Sequence, residues 1–443
     1  MYKEIKQCRI CGNTNLVPVL DLGQQVLTGV FPRAKDEKIT MGPLELVKCH
    51  GDADHCCGLL QLKQSYESDE MYGANYGYRS GLNLSMVRHL HGKVNQIRQM
   101  VNFKDGDFVL DIGSNDGTLL QAYPARGLLL AGIDPSVKKF ADYYPDHIQY
   151  IDDYFSAKAI QDRFGTKKAK VITSVSMFYD LERPIDFMTH IFDVLDEDGI
   201  WVFEQSYMPT MLKMNAYDTV CQEHLEYYSL RDIQWMARRA GFKIIDVEFN
   251  AVNGGSFSVT VAKKGNNQYK EKKALVDQIL AREEQKGLLT LKPFEEFERR
   301  VFVHRDQLRV FIDRINREGK TIFGYGASTK GNVILQLCRL GEKDIPCVAE
   351  VNEEKFGCFT PGTNIPIVSE KDAKARYPDY FLVLPWHFRE NFLEREKDWL
   401  ELGGQLIFPL PEIEIVNYEK SVNYRPQRAG RDLSAGEPQS QGL

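Results

Sequence analysis

From about residue 105 onward, short apolar runs alternate with longer amphipathic stretches. Phe108-Val109-Leu110-Asp111-Ile112 breaks into Gly113-Ser114-Asn115-Asp116-Gly117, and Thr118-Leu119-Leu120-Gln121 then starts a helical pattern. That reads as strand, glycine loop, helix. Leu128-Leu129-Leu130-Ala131-Gly132-Ile133 is a second buried strand, ending in Asp134. Val171-Ile172-Thr173-Ser174 and Gly199-Ile200-Trp201-Val202-Phe203-Glu204 continue the series, with helical Met188-Thr189-His190-Ile191-Phe192 between them. Phe242–Val247 and Ser256–Val261 form a closing pair of strands. Alternating strands and helices predict an α/β fold with a mostly parallel, doubly wound sheet.

After the polar break Lys263-Lys264-Gly265-Asn266-Asn267 the period changes. Leu275, Ile279, Leu288, Phe297, Phe302, Leu308, Phe311 and Ile315 recur at helical spacing amid dense charge, which predicts one or two amphipathic helices with a solvated charged face. A second alternating unit follows. Thr321–Gly324 is a strand, Tyr325–Asn332 a second glycine loop, and Val333–Leu337 its helix, with later strands at Phe381–Leu384 and Gln405–Phe408. From about Glu419 the chain is almost without apolar residues and is expected to be disordered.

Composition narrows the class. A chain of 443 residues with 43% hydrophobic and 27% charged residues has ample material for several cores. A net charge of -6 lacks the basic excess that phosphate backbones select, so no nucleic-acid partner is expected. No apolar run approaches a membrane span and no secretory h-region follows Met1, so a soluble, cytoplasmic protein with no membrane partner is expected.

The cysteines change the picture more. Five of nine fall in the first 57 residues: Cys8, Cys11, Cys49, Cys56 and Cys57. Cys8-Arg9-Ile10-Cys11-Gly12 is a turn that aims two thiolates at one ion, and tetrahedral zinc needs two more ligands. Cys49 and Cys57 are the best candidates, with His50, His55 and Cys56 as alternatives. A structural rather than catalytic zinc is expected, because the plausible ligands are thiolates and leave no position for water.

The first glycine loop lacks the GxGxxG spacing that seats a pyrophosphate on a helix N-terminus. Gly113 and Gly117 instead allow the backbone to approach a ligand without a diphosphate. Asp134, 21 residues beyond Gly113, stands where such units place a carboxylate on ribose hydroxyls. The loop suits S-adenosylmethionine, held by Gly113, Asn115, Gly117 and Asp134, with Asp153 or Tyr154 near the adenine.

In combination, CxxCG at Cys8–Gly12, DIGSNDG at Asp111–Gly117, Glu223-His224-Leu225-Glu226-Tyr227-Tyr228-Ser229, the loop Gly324–Gly331 and Pro361–Pro366 resemble the sugar C-methyltransferases that act on nucleotide-diphosphate ketosugars. The resemblance spans roughly residues 5 to 415. It implies a zinc-binding domain (1–66), a class I methyltransferase domain (67–265), a helical connection (266–318), a C-terminal Rossmann-like domain (319–416) and a tail (417–443). It also implies that Glu223 and His224 lie near the sugar with His224 as base, and that Tyr76 and Tyr78 face the sugar. Removing a proton next to a ketone independently favours an imidazole, which is tuned for proton transfer near neutral pH.

Lys330, on the second loop, is a candidate for the substrate's phosphates, and Trp386 and His387 for lining the same cleft. Two positions depart from the relatives. Cys221 stands two before Glu223 where they carry Tyr, and Tyr179-Asp180 stands where they carry His, which makes Asp180 a sugar-site candidate. An O-methyltransferase with His224 deprotonating a hydroxyl, and a non-catalytic zinc-containing interaction protein, are the competing readings. A small-molecule nucleotide sugar is the expected partner, and the protein is expected to be a monomer or weak homo-oligomer.

Overall fold

The computed structural model describes residues 1–52, 56–71 and 78–424. In the N-terminal region, β1 (Leu16–Val26) and β2 (Met41–Cys49) form a long irregular hairpin, and β3 (Leu60–Leu62) pairs with β2. Helix α1 (Leu84–Met100) follows, its first turn capped by Asn83, whose side chain accepts the Ser85 N–H.

The central sheet contains β4 (Asp107–Ile112), β5 (Leu128–Ile133), β6 (Ile148–Ile151), β7 (Ala169–Val175) and β8 (Leu195–Ser206). Helix α2 (Pro184–Val194) leads into β8. After β9 (Glu226–Tyr227), β10 (Phe242–Asn250) and β11 (Ser256–Lys263) complete the sheet. The strand order is β10-β11-β8-β7-β4-β5-β6, parallel except where β11 pairs antiparallel with both β8 and β10. This is the class I methyltransferase arrangement. The order reverses beside β4, so ligands belong at the carboxyl ends of β4, β5 and β7.

One detail differs from the sequence pattern. The segment after the first glycine loop forms a short 3₁₀ turn at Leu120–Ala122 instead of a helix. Leu119, Leu120 and Tyr123 are all buried, and the following Pro124 ends the run before a second turn can form.

Helices α3 (Lys273–Gln285) and α4 (Lys292–Arg317) account for the amphipathic stretch. Along α4, Phe294, Phe297, Val301, Leu308, Ile312 and Ile315 form one buried stripe. Not all the charge on these helices is solvated. Glu283 is buried and accepts from Tyr207 Oη (2.7 Å) and from the Leu230 (2.7 Å) and Arg231 (3.0 Å) N–H groups.

The C-terminal sheet has order β14-β13-β12-β15-β16-β17. Its strands are β12 (Ile322–Tyr325), β13 (Val348–Glu350), β14 (Ile367–Ser369), β15 (Tyr380–Val383), β16 (Gln405–Phe408) and β17 (Glu414–Val416). All pairs are parallel except β16–β17. Helix α5 (Thr329–Leu337) follows the second glycine loop. The segment expected to be disordered from 417 begins instead with a helix, Tyr418–Val422. Tyr418 and Tyr424 pack on the C-terminal core, and the Arg389 guanidinium lies 5.0 Å from the Tyr424 ring. No helix of the described residues is long and apolar enough to cross a membrane.

The three regions interlock. β9 belongs to the N-terminal sheet, pairing Glu226 with Gln61 and Tyr227 with Leu60. Val26 N–H donates to Gln336 Oε1 (2.8 Å), and Asn332 Nδ2 donates to the Thr28 carbonyl (2.8 Å). Thr28 also donates from N (3.2 Å) and Oγ1 (3.1 Å) to Gln222 Oε1. Residues 25–30 are therefore clamped between the central and C-terminal units.

Candidate functional site

The N-terminal turn closes as its sequence demands. Gly12 takes φ +74°, its N–H bonds the Cys8 carbonyl (3.0 Å), and Cys8 N–H bonds Asn13 (2.8 Å). Hairpin strand β2 delivers Cys49, and the loop before β3 delivers Cys57. Sγ atoms of Cys8, Cys11, Cys49 and Cys57 all lie within 4.8 Å of one another, with Cys8–Cys57 and Cys11–Cys49 both at 3.4 Å. A tetrahedral zinc with bonds of 2.3 Å needs sulfur separations of roughly 3.8 Å, so the donor set fits. Neither Cys56 nor His50 joins this cluster, and His55 lies outside the described residues. Lys48 is buried behind it, donating to the Gly58 carbonyl.

Backbone conformation shapes the first glycine loop. Gly113 (φ +71°), Asn115 (φ +50°) and Gly117 (φ +74°) all lie in the left-handed region. Asp134, buried at the end of β5, accepts the Asn115 N–H on Oδ2 (2.9 Å) and the Ser136 N–H on Oδ1 (2.6 Å). Tyr144 Oη donates to the Asn115 carbonyl (3.0 Å). Beneath the loop, Asp111 accepts from Thr173 Oγ1 (2.5 Å), and burial pushes its pKa up to about 7. Asp153 and Tyr154 are exposed just beyond β6, whose Ile151 carbonyl accepts the Asp134 N–H. Half-exposed Tyr78 borders the same loop, its carbonyl accepting from Asn115 Nδ2 (3.2 Å); Tyr76 lies outside the described residues.

A second group of residues gathers between the central and C-terminal sheets. His224 Nδ1–H donates to the Thr219 carbonyl at 2.7 Å, which leaves Nε2 as the bare acceptor. The Tyr179 ring meets the imidazole edge-on at 4.5 Å. Burial, aided by the Lys330 charge, pushes the His224 pKa down to about 3, well below the near-neutral range expected of an imidazole from the sequence. Burial pushes Glu223 up to about 7, against the pull of Lys355. Gly29 makes room for this carboxylate: a Cβ there would collide with Glu223 Oε1.

Lys330 enters from the C-terminal unit. Its Nζ donates to the Asn253 carbonyl (2.9 Å), and its charge reaches Asp218, Cys221, His224 and His387. Trp386 Nε1 donates to Asp218 Oδ2 (2.7 Å), while His387 Nδ1 is buried without a hydrogen-bond partner among the described residues. Asp180 lies at the end of a 3₁₀ turn, and its charge reaches Tyr179 and Cys221. Cys221 Sγ, a Glu223 oxygen and a His224 nitrogen fall within 4.8 Å of one another. The neighbouring Lys330 ammonium disfavours a second cation there.

The structure thus brings His224, Glu223, Cys221, Lys330, Trp386 and His387 together, with Asp180 and Tyr179 at their side. Asp218, Lys355 and Gly29 were not evident from sequence, because their roles depend on contacts between separate units. Lys355 Nζ donates to the Ala327 carbonyl (2.8 Å) and lies 4.4 Å from the Phe31 ring.

Three family models match consecutive stretches: a zinc binding domain over 8–72, a methyltransferase domain over 86–247 and a C-methyltransferase C-terminal domain over 251–411. The C-methyltransferase NovU of Streptomyces niveus is 30% identical over 428 residues, 95% of this chain and 99% of that protein. Likeness to solved structures is shallower. A methyltransferase from Methanosarcina mazei shares 12% identity, covering 38% of this chain and 96% of its own, with a TM-score of 0.32. Magnesium protoporphyrin IX methyltransferase from Synechocystis shares 14%, covering 41% and 87%, with a TM-score of 0.31.

Proposed function

The chain belongs to the zinc-binding, S-adenosylmethionine-dependent C-methyltransferases, and on that premise we propose that it methylates the carbon beside the ketone of a nucleoside-diphosphate-linked keto-deoxysugar. The observation that carries this reading is the imidazole of His224, held in one tautomer by Thr219 where three parts of the chain meet. When bound, the cofactor supplies an electrophilic methyl group on a sulfonium centre. Gly113, Asn115, Gly117 and Asp134 hold it, with Asp153 or Tyr154 toward the adenine.

His224 Nε2 takes the proton from the carbon next to the ketone, and the electron pair of that C–H bond becomes the enolate. Lys330, whose charge reaches His224, balances the charge on the enolate oxygen, as a preorganised cation does best in a dry site. In this reading Lys330 serves the reacting end of the sugar, and a contact with its phosphates remains the alternative role. Lys355 is the better-placed ammonium for the diphosphate. Gly113, Asn115, Gly117 and Asp134 would hold the cofactor so that its methyl group is offered to the enolate carbon, with the C–S electron pair left on sulfur. Glu223, the stronger base of the pair, finally holds the proton and releases it to solvent. Tyr78, Asp180, Trp386 and His387 complete the sugar pocket, and the family resemblance adds Tyr76, which lies outside the described residues.

The division of labour follows: residues 1–66 hold zinc, 67–265 the cofactor, 266–318 connect, and 319–416 present the nucleotide sugar. Free cysteines throughout the described chain suit a reducing cytoplasm. The test uses a ketosugar nucleotide deuterated at the target carbon. C-methylation must release that deuterium to solvent, and methylation with full retention would instead mark transfer to an oxygen.

A further inference from the structure

A buried ion pair joins the zinc turn to the His224 loop. Arg9 stands between the two cysteines of the turn, and its side chain is only 2% exposed. Its Nη1 donates to the Leu62 carbonyl (2.5 Å), and its Nη2 donates to Ser65 Oγ (2.8 Å) and the Gln64 carbonyl (3.3 Å). The remaining nitrogen, Nε, has no hydrogen-bond partner among the described residues and faces Glu226 Oε1 at 3.8 Å and half-exposed Glu182 at 3.6 Å.

Glu226 is the other half of the arrangement. Its side chain is wholly buried, and neither carboxylate oxygen makes a hydrogen bond of ordinary geometry among the described residues. Burial pushes its pKa well up, while Arg9 and the Leu181 N–H pull it back. The residue lines a cavity of about 10 Å³ together with His224, Tyr179 and Thr219. Its backbone neighbours are fixed from both sides: Leu62 N–H donates to the Leu225 carbonyl (2.8 Å), and Leu225 N–H to the Tyr179 carbonyl (2.8 Å). Leu225 directly follows His224, and Tyr179 is the ring against the imidazole.

A carboxylate removed from water, with no hydrogen bond of ordinary geometry among the described residues and its guanidinium 3.8 Å away, is a poor choice for stability alone, since apolar residues of similar size do as well or better. Its location is more informative. We propose that Arg9 and Glu226 are positioning residues for His224: the zinc turn fixes Arg9, Arg9 fixes Glu226, and Glu226 holds the segment that presents the imidazole. The zinc centre then governs the proton-transfer group without touching the substrate. The inference rests on the reading of His224 as proton acceptor, so its test observes the imidazole itself.

The test uses full-length, zinc-loaded enzyme labelled with ¹⁵N-histidine. Long-range ¹H–¹⁵N spectra report the tautomer of each ring, and the signal lost in H224N identifies His224. The wild type should show a single Nδ1–H tautomer. R9Q removes the counter-charge of Glu226 and should turn that signal into a mixture. Zinc content and cofactor affinity should stay unchanged while turnover falls on the order of 10²-fold, the effect of a small misplacement of a reacting group. R9Q/E226Q, with both charges gone, should recover most of the tautomer and the turnover. An unchanged His224 signal in R9Q, or a double variant as impaired as its two singles combined, overturns the proposal. If R9Q fails to fold, E226Q decides in the same way, because Arg9 then loses its partner and the same signal must shift. Should the substrate prove to be something other than a nucleotide sugar, the histidine spectra still settle the coupling.

Discussion

The two glycine loops of this molecule share a plan and serve opposite ends. Each leaves the first strand of its sheet, and each is tied by a backbone N–H to an acid at the end of the next strand. Asn115 bonds Asp134 at 2.9 Å; Ala327 bonds Glu350 at 2.7 Å. The first loop places three residues at positive φ within five positions and enters only a 3₁₀ turn. The second has one, Gly326, pressed against Pro385, and passes straight into α5 under a Ser328 cap. Left-handed residues in close succession curl the backbone into a bowl for a ligand. An immediate, well-capped helix becomes a probe, and its second residue, Lys330, reaches into the neighbouring unit. The same crossover yields a container or an arm depending on where glycine and asparagine fall.

The comparison is sharpened most by a change outside both loops. His224→Asn should lower turnover by about 10²–10⁴-fold, the contribution of a positioned general base, with cofactor affinity unchanged by calorimetry. Next comes the arm. Lys330→Met should lower turnover by about 10²–10³-fold, as removal of one oxyanion-stabilising group does, and also leave cofactor binding intact. A weakened cofactor affinity in that variant would erase the distinction between bowl and arm.

The bowl is tested by Asp134→Ala, which should weaken S-adenosylmethionine binding by about 1.5–3 kcal/mol, the range for hydrogen bonds to charged groups. The pH profile addresses the pair between the loops. Glu223, held at about 7, must be ionised to receive the proton, so turnover should fall as pH drops through 7. His224, held at about 3, is already neutral there and adds no limb in the working range. Glu223→Gln should abolish the limb near 7, and a limb that survives would assign it to another group. The smallest effect belongs to Glu350→Gln. Three N–H groups, of Ala327, Val351 and Asn352, share its oxygens, and an amide can satisfy only some of them. Thermal or denaturant unfolding should show a loss of about 1–2 kcal/mol with cofactor affinity unchanged.

Much of this was legible in the chain. Strands such as Phe108–Ile112 and Thr321–Gly324 announce themselves because apolar runs ending in glycine have few other uses. The four zinc-site cysteines could be chosen because thiolates this dense in a reduced chain need an ion. What escaped was whatever depends on two distant segments meeting. Glu226 and Arg9 each sat inside a visible motif, yet nothing in either motif shows that they face each other. Glu283 read as one more solvated charge until Tyr207 and two backbone amides enclosed it. Lys330 read as a phosphate ligand because the loop before it is glycine-rich, and its hydrogen bond to the Asn253 carbonyl, in another unit, was not legible there.

The placement of β9 has a consequence for how the polypeptide is made. The edge of the N-terminal sheet at β3 is closed by Glu226–Tyr227, which the ribosome adds long after Leu62. At roughly 5–20 residues per second, on the order of ten seconds pass between the two. Throughout that interval the growing chain carries an open strand edge of apolar residues, the kind that recruits other nascent chains. Rare codons or a stall between positions 62 and 226 would lengthen the exposure. Yield on overexpression should therefore respond to translation speed in that stretch more than to the codons that follow it.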